Sequence, residues 1–269
     1  MDLELAGQVA VVVGGARGLG QAIAAAFLAE GAEVAIIDRD PEGPAIADRL
    51  RGEGAARCLA FVADVADYSA IRGVAEDVRG SFGRLDHLVF AAGVGSGKFG
   101  FPFWRLDPSD WDRVLRVNLV GAAHVAHAFA PGLAEARAGT LLFIASVAGQ
   151  IGSQTDPPYS ASKAGLINFA QCAAKDLAPF GVRVNTVNPG MVKTALNRAV
   201  YASWADRQPE AGRPDYEQWA GEKVRALVPL GRWQTAEDVA AMAVFLASPR
   251  AGNVTGQTIN VDGGYVMHW

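Results

Sequence analysis

A tyrosine and a lysine spaced four residues apart could carry proton-transfer chemistry in this sequence. Tyr159 and Lys163 open a segment of helical periodicity, and this spacing places both side chains on one helix face, one turn apart. A phenol is inert near neutral pH because its ordinary pKa is about 10. A neighbouring ammonium group stabilises the phenolate and lowers that pKa, which would make Tyr159 an acid or base. On an exposed helix the same pair would be an ordinary surface contact.

Two further polar residues stand where they could join this pair. Ser146 follows the apolar run Leu141–Ala145, so we expect its hydroxyl at the carboxyl end of a central strand. Ligands bind at that edge in open α/β sheets. Asn118 interrupts an apolar helical stretch, although a hydrogen-bonded helix asparagine would look the same in the sequence.

A glycine-rich turn lies between the first predicted strand and the first predicted helix. Residues 14–20 read Gly-Gly-Ala-Arg-Gly-Leu-Gly. Glycines at Gly14 and Gly18 let the backbone approach a pyrophosphate, which the free N–H groups of the helix N-terminus would bind. Because any tight turn uses glycine, the position between strand and helix is what predicts a dinucleotide site.

The end of the second predicted strand bears on the choice of dinucleotide. Asp38 lies 18 residues beyond Gly20, where a carboxylate can accept hydrogen bonds from the adenosine ribose. The same carboxylate would repel the 2′-phosphate of NADP, so we expect NAD. Arg17 and Arg39 could both reach a 2′-phosphate, which keeps NADP as the less favoured alternative. A solvated turn aspartate would also fit this position.

Apolar runs rich in β-branched residues alternate with helical segments along the chain. The runs are Val9–Val13, Val34–Ile37, Leu59–Val62, His87–Phe90, Thr140–Ala145, Val182–Val187 and Gln257–Val261. The helical segments are Gln21–Glu30, Ile71–Phe82, Trp111–Phe129, Ser160–Leu177 and Ala236–Ala247. Continuous apolar strands are typical of parallel sheets covered on both faces. We predict a single-domain α/β fold, a Rossmann-like doubly wound parallel sheet of about seven strands with helices on both faces.

The long segment 191–228 breaks this alternation. It contains Tyr201, Trp204, Tyr216 and Trp219 among polar residues. Connections of this length inside a compact domain are usually functional loops, so we expect a lid over the substrate. A surface insertion with its own small aromatic cluster is the alternative.

The composition limits the classes of partner. The chain has 269 residues, 51% apolar and 19% charged, with a net charge of −4. A weakly acidic chain without basic runs is a poor candidate for nucleic acid or anionic membranes. The N-terminus lacks the features of a secretory signal, and no apolar run is long enough to span a bilayer. We expect a cytoplasmic protein that acts on a small molecule.

Several of these motifs occur together in the order found in one enzyme family. The sequence resembles the short-chain dehydrogenase/reductase family over essentially its whole length. The family's Thr-Gly-x-x-x-Gly-x-Gly motif falls on Val13, Gly14, Gly18 and Gly20. Its Asn, Ser, Tyr and Lys tetrad falls on Asn118, Ser146, Tyr159 and Lys163, with the 13-residue interval from serine to tyrosine kept.

The resemblance also implies a set of cofactor contacts. Asp64 and Val65 resemble the element that contacts the adenine, and residues 188–194 resemble the segment beside the nicotinamide carboxamide. The implied set is Gly14, Arg17, Gly18, Leu19, Asp38, Arg39, Asp64, Val65, Ala92, Gly93, Tyr159, Lys163, Pro189, Gly190, Val192 and Thr194. The sequence departs from the family where Val13 replaces threonine and where residues 90–93 read Phe-Ala-Ala-Gly instead of Asn-Asn-Ala-Gly. We expect cofactor binding to be kept, because the backbone contacts do not depend on those side chains.

The resemblance implies reversible hydride transfer between a nicotinamide and a substrate carbinol carbon. Tyr159 would exchange the hydroxyl proton and Ser146 would hold the substrate oxygen. Lys163 would lower the pKa of Tyr159 and hold the nicotinamide ribose, and Asn118 would anchor a relay water. We therefore expect an NAD-dependent oxidoreductase that interconverts a secondary alcohol and a ketone.

Three other functions stay open at this point. The chain could be an NADPH-dependent 3-oxoacyl-carrier-protein reductase, because Arg17 and Arg39 could bind the 2′-phosphate. It could also be a non-catalytic dinucleotide sensor, which would use the fold without needing the tetrad. A metal-dependent hydrolase is remoter, because His124 and His127 share a helix face but have no third ligand at a suitable spacing. We predict no metal site.

The substrate and the assembly are the least determined features. Gln154, Met191 and Trp204, together with Ser146 and Tyr159, are the predicted substrate contacts. Such a mixed polar and aromatic wall would suit a polyol, a sugar-like compound or a cyclic hydroxy compound. The resemblance implies a homotetramer, to which the C-terminal residues 266–269 could contribute.

Overall fold

The fold is organised around one parallel sheet. The structure, a computed structural model, describes residues 1–52, 56–153 and 155–267. Its strands are β1 Val9–Val13, β2 Glu33–Asp38, β3 Cys58–Val62, β4 His87–Phe90, β5 Thr140–Ile144, β6 Arg183–Pro189 and β7 Thr258–Val261. They are ordered β3-β2-β1-β4-β5-β6-β7, and every neighbouring pair is parallel. This confirms the predicted sheet, and the runs differ from the strands by at most two residues at an end.

The strands are apolar throughout because both faces of the sheet are covered. In β1, Val11 and Val13 belong to one apolar core, whereas Ala10 and Val12 belong to the other. Successive strand residues point to opposite faces, so a strand buried on both sides has no polar alternation. The uninterrupted apolar runs that predicted the sheet therefore arise because the strands are buried on both faces.

Nine helices flank the sheet in the described part of the chain. They are α1 Gly18–Ala29, α2 Gly43–Arg51, α3 Tyr68–Phe82, α4 Pro108–Leu115, α5 Gly121–Ala136, α6 Pro157–Leu177, α7 Ala195–Ala205, α8 Tyr216–Leu227 and α9 Ala236–Ala247. One core contains residues of α3, α5 and α6, and the other contains residues of α1, α2 and α9. Helices on both faces of a parallel sheet are the predicted architecture.

The predicted helices need correction at three places. The segment predicted as one helix, Trp111–Phe129, consists of α4, a π-helical turn over Arg116–Val120, and α5. The helix α2 was not predicted, because it is short and mostly polar and buries only Ile46 and Ala47 besides Gly43. Neither helix of the 191–228 segment, α7 or α8, was predicted as a helix.

The sheet has a topological switch point between β1 and β4. The chain leaves β1 towards β2 on one side, and it later crosses to β4 on the other side of β1. Ligands bind beside the carboxyl ends of the strands at such a point. Among the described helices, none is long and apolar enough to cross a membrane.

Candidate active site

A cleft of about 590 Å³ opens at the switch point. At one end it is bordered by the glycine-rich turn and the end of β2, and at the other by Tyr159 and Lys163. Predicted site residues that line it are Gly14, Arg17, Gly18, Leu19, Asp38, Arg39, Asp64, Val65, Ala92, Gly93, Tyr159, Lys163 and Thr194. The fold thus brings most of the predicted dinucleotide contacts and the proton-transfer pair into one cavity.

The glycine-rich turn has a backbone that only glycine can adopt. Gly14 has a φ of +81°, and a Cβ on it would lie 2.6 Å from the backbone nitrogen of Ala92. A Cβ on Gly20 would lie 2.1 Å from the carbonyl oxygen of Gly14. The turn therefore lies directly against the chain after β4, and α1 begins there at Gly18. The residues present fit a pyrophosphate at this helix N-terminus.

At the two places where the sequence departs from the family motif, backbone hydrogen bonds hold the chain. The Gly14 N–H donates to the carbonyl of Ile37 over 2.7 Å, and the Ala91 N–H donates to the carbonyl of Val13 over 2.8 Å. Both contacts use main-chain atoms, so replacing threonine by Val13 or asparagine by Ala91 leaves them intact.

Asp38 is held rigidly at the end of β2. Its Oδ2 accepts a hydrogen bond from the Ala16 N–H over 3.0 Å, and its Oδ1 accepts one from the Asp40 N–H over 3.1 Å. Each carboxylate oxygen has two lone pairs, so both can accept a further donor. Arg17 and Arg39 are exposed beside it at the cleft.

The element after β3 is fixed by contacts with α5. Asp64 Oδ1 accepts a hydrogen bond from the Ala66 N–H over 2.9 Å, and the carbonyl of Val65 lies 2.9 Å from His124 Nδ1. A Cβ on Gly121 would lie 2.7 Å from the Val65 side chain. The wall predicted to face an adenine is therefore packed closely against the start of α5.

Ser146 and Tyr159 meet beyond the end of β5. The Ser146 hydroxyl lies close enough to the Tyr159 phenol to act on its pKa, and Ser146 Oγ accepts a hydrogen bond from the Ala148 N–H over 3.1 Å. Burial raises the pKa of the Tyr159 phenol to about 12, and the hydrogen bond with Ser146 opposes that rise. The two hydroxyls therefore converge as predicted.

Lys163 lies beneath the tyrosine ring and is almost completely buried. Its Nζ donates a hydrogen bond to the carbonyl of Ile144 over 2.8 Å and lies 5.5 Å from the centroid of the Tyr159 ring. Burial lowers the pKa of this ammonium group to about 8. The expected net lowering of the tyrosine pKa is not found in the protein chain alone, because loss of solvation disfavours both charged forms.

Asn118 lies in the π-helical turn with none of its surface exposed. Its Oδ1 accepts a hydrogen bond from the Val94 N–H over 2.8 Å. Its Nδ2 donates to the Val94 carbonyl and to Ser162 Oγ, each over 2.9 Å. The side chain thus joins the loop after β4 to α6, and both Nδ2 hydrogens are used in doing so.

The segment after β6 only partly reaches the cleft. Thr194 lines it and caps α7, with its Oγ1 accepting a hydrogen bond from the Asn197 N–H over 3.3 Å. Pro189, Gly190 and Val192 lie behind the lining residues: a Cβ on Gly190 would lie 2.6 Å from the Cβ of Asp262. They form the support of this wall.

Two predicted substrate contacts lie elsewhere. Trp204 packs in an aromatic cluster formed by Tyr201, Trp204, Tyr216 and Trp219, with its ring 5.9 Å from Tyr201 and 5.8 Å from Trp219. Met191 is half-buried, and its carbonyl accepts the Gln234 N–H over 3.1 Å. Neither is among the residues lining the cleft where the structure describes it. Gln154 lies outside the described residues.

Sequence reasoning missed most of the wall beside Tyr159. This wall is formed by Val94, Gly95, Gly97, Phe99, Arg113, Leu196 and Ala199. The glycine-rich stretch 93–97 after β4 was the available signal, since glycines allow a loop to pass close to a ligand. Arg113 gave no signal, because a charged residue on α4 looks like solvated surface.

The two helix histidines bind protein groups. His127 Nδ1 lies 2.6 Å from the Tyr68 hydroxyl, and His124 contacts the Val65 carbonyl as described. Within the described ranges, His, Cys, Asp and Glu do not gather in groups of three that could hold a metal ion.

Comparison with known proteins places this chain among dinucleotide-dependent oxidoreductases. The sequence matches a protein-family model described as enoyl-(acyl carrier protein) reductase over residues 14–266. It is 35% identical over 267 residues to D-threitol dehydrogenase of Mycolicibacterium smegmatis, covering 99% of this chain and 95% of the relative. It is 32% identical over 266 residues to the 3-oxoacyl-[acyl-carrier-protein] reductase of Salmonella typhimurium, covering 98% and 100%.

A solved structure of an oxidoreductase is also similar to this chain. The L-sorbose reductase from Gluconobacter frateurii, complexed with NADPH and L-sorbose, is similar with a TM-score of 0.91 and 28% identity. The match covers 100% of both chains. The fold is therefore shared along the whole chain.

Proposed function

The chain belongs to the short-chain dehydrogenase/reductase family, and from this membership we propose that it interconverts a secondary alcohol and a ketone with NAD. Members of the family are dehydrogenases and reductases that act on alcohol or ketone groups with NAD(P). The observation that carries the proposal is that the Ser146 hydroxyl lies next to the phenol of Tyr159, which lines the cleft together with Lys163. One hydroxyl can hold a substrate oxygen while the other exchanges its proton.

In alcohol oxidation, Tyr159 as phenolate accepts the proton of the substrate hydroxyl. Ser146 donates a hydrogen bond to the same oxygen and stabilises the charge that develops on it. NAD, when bound, supplies the hydride acceptor. Lys163 uses one of its three donors on Ile144, and the other two are available for the nicotinamide ribose and the phenolate. Proton release through a water held near Asn118 is part of the proposal.

The choice of NAD rests on Asp38. Its carboxylate is fixed by Ala16 and Asp40, so it cannot turn away from a ribose 2′-substituent. A 2′-phosphate at this place meets a like charge at short range, which costs several kcal/mol. Two observations favour NADP instead. The exposed side chains of Arg17 and Arg39 could bind a 2′-phosphate, and the L-sorbose reductase was solved with NADPH. Comparing kcat/KM for NAD and NADP decides between them, and a strong NADP preference would contradict this assignment.

Polyols and sugar-like ketoses are the proposed substrates. D-threitol and L-sorbose, named for the relative and for the solved structure, are both of this class. The second candidate is a 3-oxoacyl thioester on a carrier protein. The apolar wall of Val94, Phe99, Leu196 and Ala199 favours it, as does the similar carrier-protein reductase.

One experiment tests the reaction and separates these substrates. The purified protein is screened for cofactor reduction with tetritols, pentitols and cyclic secondary alcohols, and for cofactor oxidation with ketoses and 3-oxoacyl thioesters. Turnover of a polyol or ketose at a kcat/KM above that of every thioester supports the proposal. Preference for a thioester assigns the second candidate. Absence of turnover with all of them, together with tight dinucleotide binding, would favour a non-catalytic sensor.

The domain organisation and setting belong to the same proposal. We propose a single domain in which residues 191–228 act as a lid, since Leu196 and Ala199 of α7 line the cleft. We also propose a cytoplasmic homotetramer acting on a small molecule, without nucleic-acid or membrane partners. Light scattering of the purified protein tests the assembly, and a monomer would refute it.

A further inference from the structure

The loop of residues 93–99 forms the cleft wall beside Tyr159, and two charged side chains bind the same stretch of its backbone. Asp156 Oδ2 accepts a hydrogen bond from the Ser96 N–H over 2.9 Å. Arg113 Nη2 donates to the carbonyl of Gly95 over 2.8 Å and to that of Ser96 over 3.0 Å. An acid and a base from different parts of the chain therefore hold one turn of the loop.

The two side chains connect this loop to the catalytic helix. Arg113 lies on α4, and Asp156 is the N-cap residue of α6, which carries Tyr159. Asp156 is 4% exposed, and an unpaired carboxylate at that depth would be costly. Its binding to Ser96 thus fixes the loop relative to the residue that exchanges the proton.

The contact leaves no space for a side chain at Gly95. A Cβ on Gly95 would lie 2.8 Å from Asp156 Oδ2 and 2.8 Å from the ring of Phe99. The far end of the loop is held as well, because the Gly100 N–H donates to the Thr155 carbonyl over 2.6 Å. The loop is therefore held at Gly95 and Ser96 and again at Gly100, the residue that follows it.

The charge of Asp156 also acts on the phenol. It adds to burial in raising the pKa of Tyr159, while burial raises the pKa of Asp156 itself. The charged groups at this end of the cleft include Lys163 on α6, Asp156 at its N-terminus and Arg113 from α4. Lys98 of the loop pairs with Asp110 of α4 over 2.6 Å, and Arg207 lies beside Gly100. Asp156 is the negative member of the first three groups.

We propose that Asp156 and Arg113 are positioning residues that clamp residues 93–99 against the N-terminus of α6, and that Asp156 also sets the electrostatic environment of Tyr159. The inference rests on the proposed function, because the wall it concerns lies beside the reacting hydroxyl. Loosening the clamp lets the wall move away from a bound substrate. Removing only the charge leaves the wall in place and makes the phenolate easier to form.

Three variants separate these two effects. Asp156→Asn keeps the size and an acceptor for the Ser96 N–H, Asp156→Ala removes both charge and acceptor, and Arg113→Met removes the donors at similar length. In Asp156→Asn, the acidic limb of the kcat/KM profile for alcohol oxidation moves to lower pH by about one unit, with KM unchanged. In Asp156→Ala and Arg113→Met, KM rises by about tenfold. Asp112→Asn, an exposed charge change on α4, is the control and changes neither.

Hydrogen–deuterium exchange of residues 93–99 tests the clamp without any substrate. Exchange in this loop rises by about tenfold in Asp156→Ala and Arg113→Met, and it stays at the wild-type rate in Asp156→Asn and Asp112→Asn. Wild-type exchange in both clamp variants would overturn the clamp, and an unshifted pH profile in Asp156→Asn would overturn the electrostatic part. If the wild type turns over no alcohol or ketone, the proposed function fails, while the exchange result still decides on the clamp. Should Asp156→Ala not fold, Arg113→Met carries that comparison.

Discussion

The carboxylate of Asp38 accepts a hydrogen bond from the backbone N–H of Ala16 over 3.0 Å, which fixes the end of β2 to the glycine-rich turn. The same group that is proposed to discriminate between dinucleotides is therefore hydrogen-bonded to the turn that is proposed to bind their phosphates. A change at this residue should alter cofactor choice before it alters the fold.

Asp38→Asn is expected to relax the preference for NAD. An asparagine Oδ1 can still accept one backbone hydrogen bond, while the repulsion of a 2′-phosphate is lost. The ratio of kcat/KM for NAD to that for NADP should fall by about tenfold or more. Asp40→Asn is the matched control, because it removes the same charge two residues away and Asp40 does not line the described cleft. An equal fall in both variants would assign the effect to net charge instead of to Asp38.

Tyr159→Phe is expected to abolish turnover without loss of dinucleotide binding. The phenyl ring keeps the shape of the side chain and removes the group that exchanges the proton, so kcat should fall by about 10³-fold. NADH fluorescence titration measures binding, and absorbance at the reduced-cofactor band measures turnover. Tyr68→Phe is the control, because Tyr68 contacts His127 and does not line the cleft. Persistent alcohol-dependent NADH formation in Tyr159→Phe would exclude the proposed mechanism.

Gly14→Ala is expected to impair both folding and cofactor binding. The new Cβ would lie 2.6 Å from the Ala92 nitrogen, on a residue whose φ is +81°. Backbone strain of this kind lowers the free energy of unfolding by about 1–3 kcal/mol, and displacement of the turn raises the Kd for NADH. Gly73→Ala on α3 meets nothing within 4 Å and should raise the free energy of unfolding by about 0.5–1 kcal/mol. Urea unfolding of the two variants compares them, and equal effects would contradict the prediction.

His87 is expected to make the protein less stable in mild acid. It is 3% exposed, its Nδ1 lies 2.8 Å from Thr140 Oγ1, and its Nε2 lies 2.6 Å from Gln8 Oε1. Burial lowers the pKa of His87 to about 4, whereas the unfolded chain titrates near its ordinary value of about 6.5. The unfolded state therefore binds more protons between these values, and stability falls as the pH falls through that window.

The full loss from His87 by about pH 4 is about 3 kcal/mol. Urea unfolding from pH 7.5 down to pH 4.5 measures it. His87→Gln keeps a donor and an acceptor but does not titrate, so its stability should depend less steeply on pH. The same slope in both proteins would show that other groups cause the acid sensitivity.

The sheet could be predicted because its cause is local. Strands covered on both faces must be apolar at every position, and that pattern is visible in runs such as Val9–Val13. The Ser146–Tyr159–Lys163 group could also be predicted, since chain order places the end of β5 and the start of α6 at one edge of the sheet.

What could not be predicted depends on contacts between distant residues. The break at Arg116–Val120 places Asn118 against Val94, 24 positions away, and nothing in the local periodicity reveals that partner. Trp204 was predicted to contact the substrate but does not line the described cleft, for a related reason. An aromatic residue near a cleft can pack on other aromatic residues as well as it can contact a ligand. Here α8 provides those aromatic residues, Tyr216 and Trp219.

The aromatic cluster of α7 and α8 bears on how the substrate specificity of such an enzyme can change. Its rings pack on one another, and the buried members Tyr216 and Trp219 form a core separate from the two cores on the faces of the sheet. Leu196 and Ala199 project from the same unit into the cleft. Residues at that edge can therefore be exchanged to accept new substrates while the dinucleotide half of the molecule keeps its architecture.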